Sequence, residues 1–182
     1  NDKWMINFYI QNVYNGFEDN NEKKSFGMLI TYELNDRWNM GYSNYLGDDT
    51  SEDADSVSHY RFYQNAFFNY QYNKLKVQFG VDFCLQKNSD LIDIENSAST
   101  FSGVATGSYS ISSTFSAYSR FEFFNDPNGV LSSPFTDASG KITGYKLWGV
   151  TAGIELRPLD KLYIRLEGRR LEMDKDQKIY FW

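Results

Sequence analysis

The feature that most limits how this chain can fold is a period-2 alternation of apolar and polar residues. It is renewed in segments of roughly ten residues along the sequence. The stretch LKVQFGVDFCLQ is the cleanest case, setting Leu75, Val77, Phe79, Val81, Phe83 and Leu85 against Lys76, Gln78, Gly80, Asp82 and Gln86. Such a strand has one apolar face and one polar face. Similar segments run over residues 4–14, 26–34, 38–46, 60–72, 101–111, 115–123, 148–157 and 162–170, and KIYFW at 178–182 reads as the start of a tenth. Helical periodicity and capping boxes are nearly absent.

The connections alternate as strictly as the residues do. Tight ones fall at ELNDRW, QYNKL, ISST and RPLDKL, where Asn73-Lys74, Ser112-Ser113 and Pro158-Leu159-Asp160 carry turn chemistry. Long polar ones fall at 15–25, 47–59, 87–99 and 125–141. An antiparallel meander with short turns at one end and long loops at the other follows. That is the form of a transmembrane up-and-down β-barrel with about ten strands in this chain.

Alternation alone does not say which face is buried; volume decides. A closed barrel of eight to ten strands leaves room inside for modest side chains or one small ligand. The apolar face would push about four or five large side chains per strand into that space, in a chain that is 18% aromatic. The polar face, rich in Gly, Ser, Thr, Asn and Gln, suits the lumen instead. Mean hydropathy is −0.56, and no apolar run approaches the length of a transmembrane helix.

Polar parity places Arg120, Glu122, Glu155, Arg165, Glu167 and Arg169 together as a lumen charge wall on three consecutive strands. The same six charges read as a cross-strand salt-bridge ladder holding barrel shape, and the two readings are compatible. Trp4, Trp38, Tyr70, Tyr72, Tyr109 and Trp148 fall near strand ends, where an interfacial aromatic girdle would lie. Arg170 has the opposite parity to Arg169 and is expected to snorkel at the headgroup level beyond the long-loop end.

Other candidates carry less. A net charge of −6 without a basic cluster argues against a nucleic-acid partner. The one cysteine, Cys84, leaves no internal disulfide and reads as a buried strand thiol. Asp48, Asp49, Glu52, Asp53 and Asp55 are dense enough to suggest Ca²⁺ but lack EF-hand spacing, so they read as a solvated loop. Asp126 with Asn128, and Asn15 with Gly16, read as turns. The single histidine, His59, beside Ser56 or Ser58 is the one nucleophile–base pairing on offer, and loop serines are common. The chain is therefore expected to be no enzyme and to hold no metal or other cofactor.

Three stretches carry a family resemblance: VYNGFEDNNEKKSFGMLITYEL (13–34), YSRFEFFNDPNGV (118–130) and GVTAGIELRPLDKLYIRLEGRR (149–170). In order and spacing they resemble the OmpL-like putative β-barrel porins of Gram-negative outer membranes, and in that family these motifs lie in the C-terminal half of a larger barrel. The resemblance implies a single outer-membrane barrel domain over 1–182 that is a fragment of a longer chain. The competing reading takes Trp182 as the aromatic on which a complete mature chain ends. It also implies a passive channel for small hydrophilic solutes in the cell outer membrane, with lipid or lipopolysaccharide around it and an oligomer or complex left open. The alternative is an accessory barrel with a plugged lumen, acting within a membrane complex.

Overall fold

The computed structural model describes residues 3–12, 14, 21–51, 57–159 and 161–174. Its strands are β1 (Trp4–Gln11), β2 (Ser25–Asn35), β3 (Trp38–Gly47), β4 (Arg61–Tyr72), β5 (Leu75–Gln86), β6 (Ala98–Ser110) and β7 (Phe115–Asn125). They continue with β8 (Phe135–Thr136), β9 (Ile142–Thr143), β10 (Lys146–Leu159) and β11 (Leu162–Met173). Nine of them form one sheet in the order β1-β2-β3-β4-β5-β6-β7-β10-β11, each antiparallel to its neighbours. The other two, β8 and β9, form a small hairpin within the loop that joins β7 to β10. The protein is all-β, a meander of the β-barrel kind. Among the described residues β1 and β11 are not paired with each other, so each has one open edge.

Tight turns join β2 to β3, β4 to β5, β6 to β7 and β10 to β11, all at one end of the sheet. At the second of these Asn73 takes a left-handed φ of 49°, a conformation Asn tolerates better than most residues. The β5 segment of the sequence matches its strand end for end. Strand β6 begins three residues earlier than its alternation announces, because Ala98 and Thr100 are too small to mark a face. The expected strand at 178–182, and Trp182 with it, lies outside the described residues.

Register fixes the faces. On β5 and β6, Gln78 pairs with Thr106 and Asp82 with Ser102, while Phe79 pairs with Ala105 and Phe83 with Phe101. Carried strand by strand, the apolar set forms one continuous face and the polar set the other. The apolar face is the exposed one: Phe8 is 78% exposed, Phe79 49% and Leu166 71%. Among the described residues the largest fully buried side chains are Ser25, Asp48, Cys84, Asp126 and Thr151. A soluble sheet has the opposite distribution. Oil outside and polar packing within is the condition of a barrel whose outer solvent is lipid. Cys84 is buried, but on the polar face, opposite Tyr63 and Thr100 rather than among Val81, Phe83 and Leu85.

A charge placed on the exposed face tests this assignment. Val81→Arg, at mid-strand, should cost about 2–4 kcal/mol in the unfolding free energy of the lipid-reconstituted protein, while Gln78→Arg on the polar face should cost little. Denaturant titration followed by tryptophan fluorescence reads both.

Candidate functional site

Arg120 and Glu122 on β7, Glu155 on β10, and Arg165, Glu167 and Arg169 on β11 all lie on the polar face. Arg120 is opposite Thr151 and Glu122 opposite Gly149; Glu155 is opposite Arg165, Gly153 opposite Glu167 and Thr151 opposite Arg169. The middle strand therefore presents Gly149, Thr151 and Gly153 between two strands of long side chains. A Cβ on Gly149 would sit 2.7 Å from Glu122 Oε1, and one on Gly153 would sit 2.5 Å from Tyr118 Cζ. The bare backbone is what lets β7 and β11 meet over β10. Across it Tyr118 Oη donates to Glu167 Oε2 at 2.8 Å, and Arg169 Nη2 donates to Glu122 Oε1.

The charges are grouped two to one. Glu122 takes Arg169 on one oxygen and has Arg120 Nε 3.4 Å from the other. Glu155 is held by Arg157 at 2.5 Å and Arg165 at 2.6 Å, again one guanidinium per oxygen. Its side chain is 7% exposed, and a carboxylate so enclosed stays ionised only with such partners. The sequence reading left Arg157, Tyr118 and Thr151 out of the wall. Their parity was the available signal.

Two cavities open on this face toward the tight-turn end. One, of about 510 Å³, is lined from β2 to β6 by polar groups including Glu33, Asn39, Asn69 and Lys76. The other, of about 470 Å³, runs from β5 to β11 along the charge wall. They share Lys76, Gln78, Thr106 and Ser108, so they adjoin.

The long-loop end is cross-linked by hydrogen bonds, around a further cavity of about 340 Å³ lined by Tyr9, Tyr14, Tyr45 and Tyr63. Tyr45 donates to Ser25 Oγ at 2.7 Å and to Asp49, and Tyr63 to Asp82 at 2.5 Å. Arg61 reaches Asp49 at 3.1 Å and lies 5.3 Å over the Tyr14 ring. Two aspartates fasten the loops above. Asp126 accepts hydrogen bonds from Thr100 Oγ1, from the backbone N–H groups of Val130, Leu131 and Ser132, and from Ser132 Oγ. Asp48 accepts from Lys23 Nζ at 2.7 Å, Ser58 Oγ at 2.8 Å, and the backbone N–H groups of Thr50 and His59 at 3.2 Å. The expectation of a solvated acidic loop thus fails at Asp48, which is buried, and at Asp49. Glu52, Asp53 and Asp55 lie outside the described residues. Burial by itself would push the Asp48 carboxyl up. The hydrogen bonds from Lys23, Ser58 and Thr50 outweigh it and hold the group well below the ordinary carboxylate range.

The remaining candidates are quickly placed. Ser58 Oγ is committed to Asp48 and the His59 ring meets Ser89 Oγ at 3.2 Å, so the two do not form a pair. Ser56, Asn15 and Gly16 lie outside the described residues. Among those described, no group of three or more His, Cys, Asp or Glu could hold a metal ion. Asp126 turns the chain as read, and Asn128 accepts from the Leu91 N–H, joining two loops. Trp4, Trp38, Tyr70, Tyr72 and Tyr109 sit on the exposed face at the tight-turn end, and Trp148 at the other. Trp38 stacks on Tyr70 at 4.1 Å, Trp4 on Tyr32 at 4.3 Å, and Arg37 caps Tyr72 at 4.1 Å. Arg170 shares that face near Trp148 and bonds Glu172.

The sequence profile of one protein family, described as putative beta-barrel porin-2, OmpL-like, matches residues 1–181. The chain belongs to this family. The match runs over essentially the whole chain, not just a C-terminal half. No curated protein and no solved structure matches it. A porin-like β-barrel is thus the common ground of the fold and the family.

Two measurements probe the site. Gly153→Ala should displace Tyr118 from Glu167 and lower stability by about 1 kcal/mol. Gly168→Ala, where nothing lies within 4 Å of the added methyl, should leave the unfolding midpoint unchanged. For Asp48 the sign follows from its lowered value in the folded state. Its stabilisation is complete above the unfolded value of about 3.9 and is lost as pH falls further toward the folded one. Pepsin nicking of the 48–60 loop should therefore rise steeply as pH falls below about 4, and Asp48→Asn should already be nicked at the upper end of pepsin's range.

Proposed function

We propose that the protein is an outer-membrane channel through which small hydrophilic solutes diffuse passively, along a polar lumen of mixed charge. One observation carries this reading. Six charged side chains on β7, β10 and β11 share the inner face with two adjoining polar cavities, while the exposed face is apolar and edged with stacked aromatics. Water-filled space beside fixed charge is what conduction needs, and the fixed charge biases which solutes pass. Membership of a porin-like family adds to it. No covalent chemistry is called for, and the reading gives the protein neither catalysis nor a cofactor. Its surroundings are outer-membrane lipid or lipopolysaccharide.

The hydrogen-bonded loop end favours a second reading, an accessory barrel whose mouth is closed by its own loops. Asp48 and Asp126, both enclosed, tie those loops through hydrogen bonds to Lys23, Ser58, Thr100, Leu131 and Ser132. The purified protein inserted into planar bilayers separates the two. Discrete conductance steps are expected. A silent bilayer with protein that is folded by circular dichroism assigns the accessory role.

A further inference from the structure

We infer that the cavity along β5 to β11 is an anion subsite, and that the solutes the channel favours are small hydroxylated anions such as sugar acids. This rests on the channel reading above. The protein as a whole is acidic, with a net charge of −6. This cavity is not. Lys76, Arg120, Arg157 and Arg165 line it against Glu155 and Glu167, four cations to two carboxylates.

The surplus comes from the way the wall is wired. Each carboxylate of the two clusters divides itself between two guanidiniums, Glu155 between Arg157 and Arg165, and Glu122 between Arg120 and Arg169. Each cluster therefore keeps one uncompensated positive charge. Glu167 returns one negative charge, and its hydrogen bond comes from the neutral Tyr118. Lys76 adds another positive charge. Among the described residues its ammonium makes no ion pair or side-chain hydrogen bond, and it stands where the two cavities join. A carboxylate entering there meets a free ammonium and guanidinium edges at 53–62% exposure on Arg157 and Arg165.

The rest of the lining answers to hydroxyl groups. Thr106, Ser108, Ser110 and Ser116 face the cavity in successive inner-face positions of two paired strands, each able both to donate and to accept. Among the described residues Thr151 Oγ1 is buried on the same lining with no hydrogen-bond partner, and the buried Arg120 Nε has only the ion pair with Glu122 at 3.4 Å. A buried polar group left so is costly unless something bonds to it. A hydroxylated anion presents both kinds of group to this wall. A neutral sugar lacks the charge, and a simple carboxylate such as acetate lacks the hydroxyls.

The test uses the full-length protein in planar bilayers under a KCl gradient. The reversal potential should show chloride favoured over potassium by about twofold or more. Lys76→Glu takes the cavity from a surplus of two positive charges to none and should abolish or reverse that preference; Arg157→Gln should weaken it. Both side chains are exposed, and neither is needed to build a strand. Gluconate should reduce the chloride current at about fivefold lower concentration than acetate, and neutral glucose should not reduce it at all. Cation preference in the unaltered channel, or an unchanged ratio in Lys76→Glu, overturns the anion subsite while leaving the channel standing. Equal block by gluconate and acetate overturns the assignment of hydroxylated solutes. An absence of conductance, by contrast, counts against the channel itself.

Discussion

A backbone that faces hydrocarbon has no water to turn to, so every N–H and C=O must find its partner in the next strand. That one requirement organises the molecule. It favours a neighbour-to-neighbour meander, and it makes the tight turns at one end, each closing a register, as important as the strands. Once the backbone is spent in this way, each strand has only its two faces left to differ by. One is given to apolar side chains, the other to whatever the interior must hold. The inverted distribution of burial, with Phe and Leu outside and Asp, Thr and Ser enclosed, is the result.

Within that frame the inner face is shaped by subtraction. Strand β10 offers almost no side chain at 149 and 153, and the strands on either side fill the gap by reaching over it. Long residues on β7 and β11 thereby become neighbours although a whole strand lies between them. The contacts that result are ionic and hydrogen-bonded, not apolar, and they stiffen this part of the wall without filling it. At the opposite end the balance shifts. Tyrosines and two enclosed aspartates pin the loops by hydrogen bonds, so the protein is charged toward its turns and cross-linked toward its loops.

Much of this could be read from the sequence, for reasons that particular residues make clear. Strand β5 announced itself fully because every second position from Leu75 to Leu85 is large and apolar. The start of β6 did not, since Ala98 and Thr100 have too little side chain to reveal a face. The hairpin β8–β9, two residues in each arm, is below the reach of any periodicity. The six charges could be placed on one face by counting alone. Their wiring could not: that Arg169 would choose Glu122 over a nearer strand depends on glycines elsewhere in the chain. Asp48 misled for the opposite reason. Surrounded by other acids it looked like solvent-facing charge, and nothing local reveals that Lys23 and Ser58 arrive from distant positions to enclose it.

Cys84 has a practical meaning beyond its packing. It is the single thiol of the chain, and it has no exposed surface at all. A hydrophilic thiol reagent therefore has no native target on the folded protein. Cysteines introduced one at a time along the inner face, from Lys76 on β5 to Arg169 on β11, would report their own accessibility without background from the parent. The interior can be charted position by position, using a blank surface that the fold itself supplies.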